Sequence, residues 1–326
     1  MTGYILRRLA YAVPILVGVN LLTFWLFFYV NSPDDMARMQ LGVKHVGQEA
    51  VEQWKRERGY DQPLLWNAGA AGAGRLTETI FFEKSLRLFA FDFGVSDSGR
   101  DIGHDVTQRM GPSLAIAVPG LILGLAVDIS LALLVVLFRR TYIDLWAVVL
   151  CVTLMSISGL FYIIGGQFVA GKLLRLVPIS GYGEGLDIIR FVALPVAVGV
   201  IAGIGSGVRV YRTFFLEEAG RDFIRTARAK GLPERVVLFR HVLRNALIPI
   251  LTGVVVVLPT LFLGSLITES FFGIPGLGSY TIDAIGAQDF AIVRAMVFLG
   301  SVLYIVGLIL TDISYTIADP RVRLGR

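Results

Sequence analysis

Three groups of residues in this chain could do chemistry. Gly166-Gln-Phe-Val-Ala-Gly171-Lys172 has the G-x4-G-K spacing of a loop that cradles phosphates. Such a loop follows a strand and places Ser or Thr after the lysine to hold magnesium; here Leu173 stands there and the run lies inside an apolar stretch. Its glycines are expected to let helices pack closely instead. His45, His104, His241 and Cys151 have no ligand-like spacing, so no metal site is expected. The single cysteine excludes an intrachain disulfide and is expected to be packing. No Ser/His/Asp or paired-carboxylate constellation falls on the apolar runs, so no hydrolytic activity is expected of this chain. Asp128 is the ionisable residue deep within an apolar run, where a carboxylate must face a protein interior or a wet cavity. It either lines a route for a solute or is held structurally by Ser130 or a neighbouring helix. Asp312 lies near the end of its run and is more easily solvated.

The elements that must position these residues are set by hydropathy. Of 326 residues, 55% are hydrophobic and only 17% charged, with a mean hydropathy of +0.70. Charges fall in clusters, which marks a polytopic membrane protein. A hydrocarbon core about 30 Å thick needs roughly 20 apolar residues to cross it. Runs that meet this are 9–30, 112–138, 145–171, 191–208, 246–268 and 295–317. The chain is therefore predicted to be all-α with six transmembrane helices. The first run follows Arg7 and Arg8 and ends at Asn31-Ser32-Pro33 with no A-x-A site, so it is expected to be an uncleaved span.

Orientation follows from Lys and Arg in the short loops. With an inside N-terminus, the inner segments carry 16 basic residues and the outer ones four, Lys172, Arg175, Arg190 and Arg294. Both termini are therefore expected in the cytoplasm. The net charge of +5 comes from basic residues flanking spans, an argument for contact with membrane lipid and against a nucleic-acid partner.

Three regions result: a first span in 1–33, an extracytoplasmic segment in 34–111, and a core of five spans in 112–326. Within 34–111, Gln48 to Arg58 reads as a short helix with Ala50, Val51 and Trp54 on one side. The run Asn67 to Gly74 reads as flexible, and Ile80, Phe81, Phe82, Leu86, Leu88 and Phe89 as lying on the membrane surface. The segment is either a cap over the helices or a docking surface for an outside partner.

Residues 217–245 are the most informative stretch, a basic amphipathic hairpin between two apolar runs. Ala219, Phe223, Ile224 and Ala227 share one helical face, while Arg221, Asp222, Arg225 and Arg228 surround the other. Arg228 and Lys230 suit the negative end of this helix, and Gly231 can take the left-handed conformation that stops it. After Leu232, Pro233 can open a second helix with Glu234 near its positive end. A solvated loop explains the charge but not the apolar stripe of Phe223, Ala227 and Leu232. A docking element for a soluble motor protein explains both.

Arg225-Thr-Ala-Arg-Ala-Lys-Gly231-Leu, followed by His241-Val-Leu-Arg-Asn-Ala-Leu-Ile-Pro249, resembles the coupling motif of permease subunits in binding-protein-dependent ABC importers, in the dipeptide, oligopeptide and nickel branch. Against the general pattern E-A-A-x3-G-x9-I-x-L-P, Ala227, Gly231 and Leu243 match. Arg225 takes the Glu place and Arg244 the Pro place, departures usual in the peptide branch. Further similar pieces are Leu6-Arg-Arg-Leu-Ala-Tyr-Ala-Val-Pro14 through Pro33-Asp34, Tyr60-Asp-Gln-Pro-Leu64, Phe91-Asp-Phe-Gly-Val-Ser96 and Val177-Pro-Ile-Ser-Gly181. Glu269-Ser-Phe-Phe-Gly-Ile-Pro-Gly-Leu-Gly278 and Asp319-Pro-Arg-Val-Arg323 complete the set, which covers nearly the whole chain. The region 66–90 is longer and more aromatic than usual, and Asp128 and Ser130 stand where the family generally has glycine and proline.

The resemblance implies a type I ABC importer permease fold in a bacterial or archaeal inner membrane, with the hairpin gripping an ATPase. Its ATPase-coupling residues would be Phe223, Arg225, Ala227, Arg228, Lys230, Gly231 and Leu232, and Asp128 is the candidate on the translocation path. It further implies a second homologous permease, two ATP-binding subunits that carry the ATP and magnesium, and an extracytoplasmic solute-binding protein. The chain itself would carry no cofactor and catalyse nothing. Peptides are the commonest cargo of the branch, with nickel, glutathione and glycosides as alternatives. A secondary transporter driven by ion gradients would instead show ionisable residues in several spans and an internal repeat; the sequence has one deep carboxylate and no clear repeat.

Overall fold

A computed structural model describes residues 2–42 and 47–318; His45 and the Asp319 to Arg323 motif lie outside them. The described residues are helical in this order: α1 Thr2–Trp25, extended by a π turn Leu26–Val30, then α2 Pro33–Leu41, α3 Gln48–Arg58, α4 Gly74–Thr77 and α5 Ile80–Lys84. Then come α6 Ile102–Leu137, α7 Tyr142–Ser156, α8 Gly159–Gly166, α9 Ile188–Ala219, α10 Asp222–Ala229, α11 Glu234–Val236 and α12 Leu243–Val257. The last are α13 Leu266–Phe272, α14 Leu277–Ala287 and α15 Phe290–Ala318. Among the described residues, five helical stretches are long and apolar enough to cross a membrane, at 7–30, 102–137, 185–219, 234–263 and 290–314. Each of the five contains most or all of a run read from the sequence.

The third run differs. Instead of one straight span it is the pair α7 and α8, with the second piece continued by a π turn Gln167–Leu173, and the two halves meet at 87°. Ile157 and Ser158 are extended there, so the intrahelical ladder stops and restarts. Tyr162 reaches back across the bend and donates its hydroxyl to the Leu154 carbonyl at 2.8 Å, satisfying one of the acceptors the break exposes. A hydropathy window cannot register this, because both sides of the break are equally apolar.

The chain divides into two compact units, residues 1–109 with 280–309, and 110–279 with 310–326. In the first unit, Ser32 caps α2 reciprocally with Asp35, and Gly59 ends α3 in the left-handed conformation. Val51 and Trp54 of α3 are buried with Phe24 and Phe28 of α1, Met36 and Ala37 of α2, Tyr60 and Ile80, while Ala50 is exposed. The segment after the first span is thus built onto the end of that span. The expectation that Ile80 and Leu88 lie on the membrane surface is corrected: both are buried, and only Phe82 and Leu86 of that aromatic stretch stay exposed. Phe89 packs edge-on against Phe298 of α15, with ring centroids 5.2 Å apart.

In the second unit, α7, α8 and α12 pack on α9. Glycines permit the approach. A Cβ at Gly205 would strike the Cys151 carbonyl and Met155 of α7, one at Gly166 would strike Val198 of α9, and one at Gly171 would strike Ile179. The G-x4-G-K run is therefore packing surface, preceded by helix and not by a strand.

Candidate functional site

The hairpin forms as its punctuation predicts. Helix α10 ends at Ala229, the Gly231 amide donates to the Arg228 carbonyl at 2.9 Å, and Gly231 sits at φ +78°. A side chain there would cost roughly 1–2 kcal/mol of backbone strain. Pro233 is the N-cap of α11, which runs through a π turn Val237–Val242 into α12.

Burial divides the expected docking face in two. Ile224 and Ala227, the latter 6% exposed, point into this unit's own core with Phe215, Ala219, Val237, Leu238 and Val242. Ala227, expected on the docking face, thus packs inside its own unit. Phe223 at 40% and Leu232 are exposed, and with them Val236 and Phe239, the last at 59%. The reason is that α10 is one short helix laid on a neighbour, so only half its apolar stripe remains free.

Arg228 also has an internal partner. Its guanidinium binds Glu234 through two hydrogen bonds, of 3.0 and 2.7 Å, closing the hairpin across the Gly231 turn. Arg225 lies 3.3 Å from Asp222 and is largely exposed, as is Lys230. Of the seven residues expected to couple, Gly231 makes the turn, five flank it on its outer or bridging side, and Ala227 holds it to the body.

Asp128 lies on α6 against Gly207 of α9, so close that any Cβ at 207 would overlap its carboxylate. One of its oxygens is buried without a hydrogen-bond partner. The expected bond to Ser130 is absent; that hydroxyl donates back to the Ala126 carbonyl at 2.6 Å. No three His, Cys, Asp or Glu side chains converge on a possible metal position among the described residues.

Residues 129–324 match the family described as binding-protein-dependent transport system inner membrane component, and residues 1–68 match its N-terminal region. The chain belongs to this family. The match to its main part contains both the broken third span and the hairpin. A putative peptide transport system permease protein of Brucella abortus is 32% identical over 329 residues, covering 99% of each chain. The dipeptide transport system permease protein DppB of Escherichia coli is 29% identical over 351 aligned residues, and the oligopeptide transport system permease protein AppB of Bacillus subtilis 27% over 340, each again covering 99% of both chains.

In this inner membrane component the Glu269 to Gly278 motif has a physical cause that sequence reading did not supply. Glu269 is 1% exposed, and its carboxylate accepts from the backbone amides of Ser265 at 3.0 Å, Gly278 at 2.7 Å and Ser279 at 3.1 Å. The latter two belong to the N-terminal turn of α14, whose partial positive charge favours an anion. Buried Ser113 accepts the Leu277 amide at 2.8 Å beside them. Cβ atoms at Gly264 or Gly276 would overlap the carboxylate, and one at Gly278 would strike the Ser265 backbone, hence the glycines. Glutamate three residues ahead of an aromatic, glycine, proline and glycine cluster was the available signal.

Proposed function

We propose that this chain is one membrane-spanning half of an ATP-driven importer for di- or oligopeptides. A second, related permease completes the pathway, two ATP-binding subunits seat the hairpins, and a soluble receptor delivers cargo on the opposite side. In this reading both termini and hairpin 217–245 are cytoplasmic, 34–111 lies outside, 1–33 forms the entering span and 112–326 the transport core. The charge bias of 16 to four supports the orientation. The names of relatives matched end to end support the cargo. ATP and magnesium belong to the partner subunits, and this chain is a lever and half a channel.

The observation that carries the reading is the two-sided hairpin. Its inner side is locked to its own unit by Ile224, Ala227 and the Arg228–Glu234 pair, while Phe223, Leu232, Val236 and Phe239 are exposed apolar residues on a charged surface. An element so attached transmits a displacement to α9 and α12 instead of absorbing it. ATP binding that draws the two motor subunits together would then move these helices and switch the pathway from inward-facing to outward-facing.

The test is the assembled complex in liposomes, with uptake and ATP turnover measured together. Phe223→Glu and Phe239→Glu, and Gly231→Trp, should insert normally yet lose uptake, with ATPase subunits released or hydrolysing without cargo. Wild-type uptake in all three would remove the hairpin from the coupling role. Asp128 is the candidate on the cargo route: Asp128→Asn should leave assembly intact and alter uptake or cargo preference. Unchanged uptake with a lowered melting point would make it structural.

A further inference from the structure

The first unit holds a polar cavity of about 620 Å³, in the size range of small-molecule sites. Its lining includes Arg58, Tyr60, Glu83, Lys84, Asp97 and Arg294. Two of these charges, Arg58 and Asp97, are satisfied within the chain. Arg58 binds Asp97 at 3.0 Å, and the Asp97 amide donates to Asp289 at 2.8 Å. Elsewhere on the wall Arg87 lies 3.9 Å from Asp92.

Two cations are different. Arg294 is 4% exposed, lies over the Phe28 ring at 4.7 Å, and donates only to the carbonyls of Phe290 at 3.3 Å and Lys84 at 3.5 Å. Those bonds use Nε and one Nη of a group with five N–H donors. No carboxylate lies within 4 Å of it or of Lys84 among the described residues. Lys84 Nζ sits 5.5 Å from the Tyr60 ring centroid and beside Gly59, where the Glu83 carboxylate also lies, itself without a cation within 4 Å. Gly59 is left-handed at φ +66°, and a Cβ there would lie in ordinary contact with both.

A buried guanidinium is normally paired with an anion. Here the unpaired fork and an ammonium face open space, with one free carboxylate beside them. We propose that this cavity binds a small zwitterion, an amino acid or short peptide, its carboxylate on Arg294 and Lys84 and its ammonium on Glu83. Glu83 and the acidic residues along the wall disfavour a phosphate dianion. The inference does not rest on the import reading.

The test uses the full chain in lipid nanodiscs and equilibrium dialysis with tritiated dialanine and tritiated alanine. Saturable binding of either, one per chain, is expected, the tighter ligand reporting the length the cavity takes. Dialanine amide and N-acetyl-dialanine should each compete at least about tenfold more weakly, the loss of one hydrogen bond to a charged group. Lys84→Met should weaken dialanine by about the same factor without touching the weak competition by its amide. Glu83→Gln should weaken dialanine and leave N-acetyl-dialanine unchanged. The proposal is overturned by absent saturable binding of both ligands, by the amide or inorganic phosphate competing as well as dialanine, or by unchanged affinity in Lys84→Met.

Discussion

Replacing Glu269 tests whether a buried carboxylate organises the loop between α13 and α14. In Glu269→Ala the amides of Ser265, Gly278 and Ser279 lose their acceptor at once. A buried donor left unsatisfied costs about 1–3 kcal/mol. Three of them cannot all find water in a site lined by buried Ser113, Phe272 and Leu277. Allowing for partial relaxation, the loss should be about 3–5 kcal/mol, the range for stripping one partner from a buried ionic contact. Glu269→Gln keeps the shape. Its single carbonyl oxygen can serve Gly278 and Ser279, but its amide then faces the Ser265 N–H, so about 1–3 kcal/mol is expected. The assay is the thermal unfolding midpoint of the purified chain in one detergent, by intrinsic fluorescence, with insertion checked beforehand. For a chain this large each kcal/mol moves the midpoint by roughly 2–4 °C. Glu269→Ala should fall on the order of 10 °C and Glu269→Gln by about half of that. A midpoint for Glu269→Ala within about 2 °C of the parent, or Glu269→Gln below Glu269→Ala, would refute the argument.

Other predictions concern the remaining elements. Cysteines at Glu52 and Arg225, in a Cys151→Ser background, should label from opposite sides of the membrane with an impermeant reagent; labelling from one side refutes the orientation. Gly207→Ala should lower the melting point by forcing Asp128 off α9, and adding Asp128→Gly should restore part of the loss; equal instability of the double variant refutes that contact. Lys84→Met should melt no lower than the parent. Burial first, and the Arg294 charge next, hold the Lys84 ammonium below its ordinary range, so the folded state disfavours that charge. Its cost is present in full below the lowered folded value and is relieved as pH rises from there toward the unfolded one, so a midpoint well below the parent at pH 7 would contradict it. Ala227→Glu should destabilise the hairpin itself, with lowered protease resistance, where Phe239→Glu does not; equal resistance of both refutes the division of faces.

What the sequence made legible follows from what each signal measures. The long runs were visible because a span is set by length and composition, and the helix Gln48–Arg58 because Val51 and Trp54 recur at helical spacing ahead of a glycine stop. The Gly231 turn was legible for the same local reason. The bend at Ile157 and Ser158 was not, since hydropathy averages over it, although Ser156, Ser158 and Gly159 together are a breaker cluster inside an apolar run. Nor was the orientation of the hairpin faces, because periodicity says which residues share a face and not which face meets the protein. The π turn at Val237–Val242 shifts that register further, leaving Val236 and Phe239 outside while Val237 and Leu238 go in. The Arg294 pocket joins residues separated by more than two hundred positions, from Phe28 to Lys84 to α15, and no local pattern announces such a meeting.

Charged residues in this chain sort by whether the chain itself completes them. Glu269 receives three amides, and Arg228 two carboxylate oxygens. Asp289 accepts from the Asp97 and Ile292 amides. These are closed accounts of donors and acceptors, and each holds one element to another: α14 to the loop before it, α10 to α11, the segment near Asp97 to the start of α15. Asp128, Lys84 and Arg294 are not completed. Burying a polar or charged group without partners is unfavourable by several kcal/mol, so such groups persist only where something outside the chain completes them, whether water, solute or another subunit. The same division applies to apolar residues of the hairpin, where Ile224 and Ala227 are finished contacts and Phe223 and Phe239 are not. Completed groups therefore locate the scaffold, and the proposed meeting points with ligands and partners are the incomplete ones: Asp128 in the spans, Arg294 in the first unit's cavity, and the hairpin tip around Gly231.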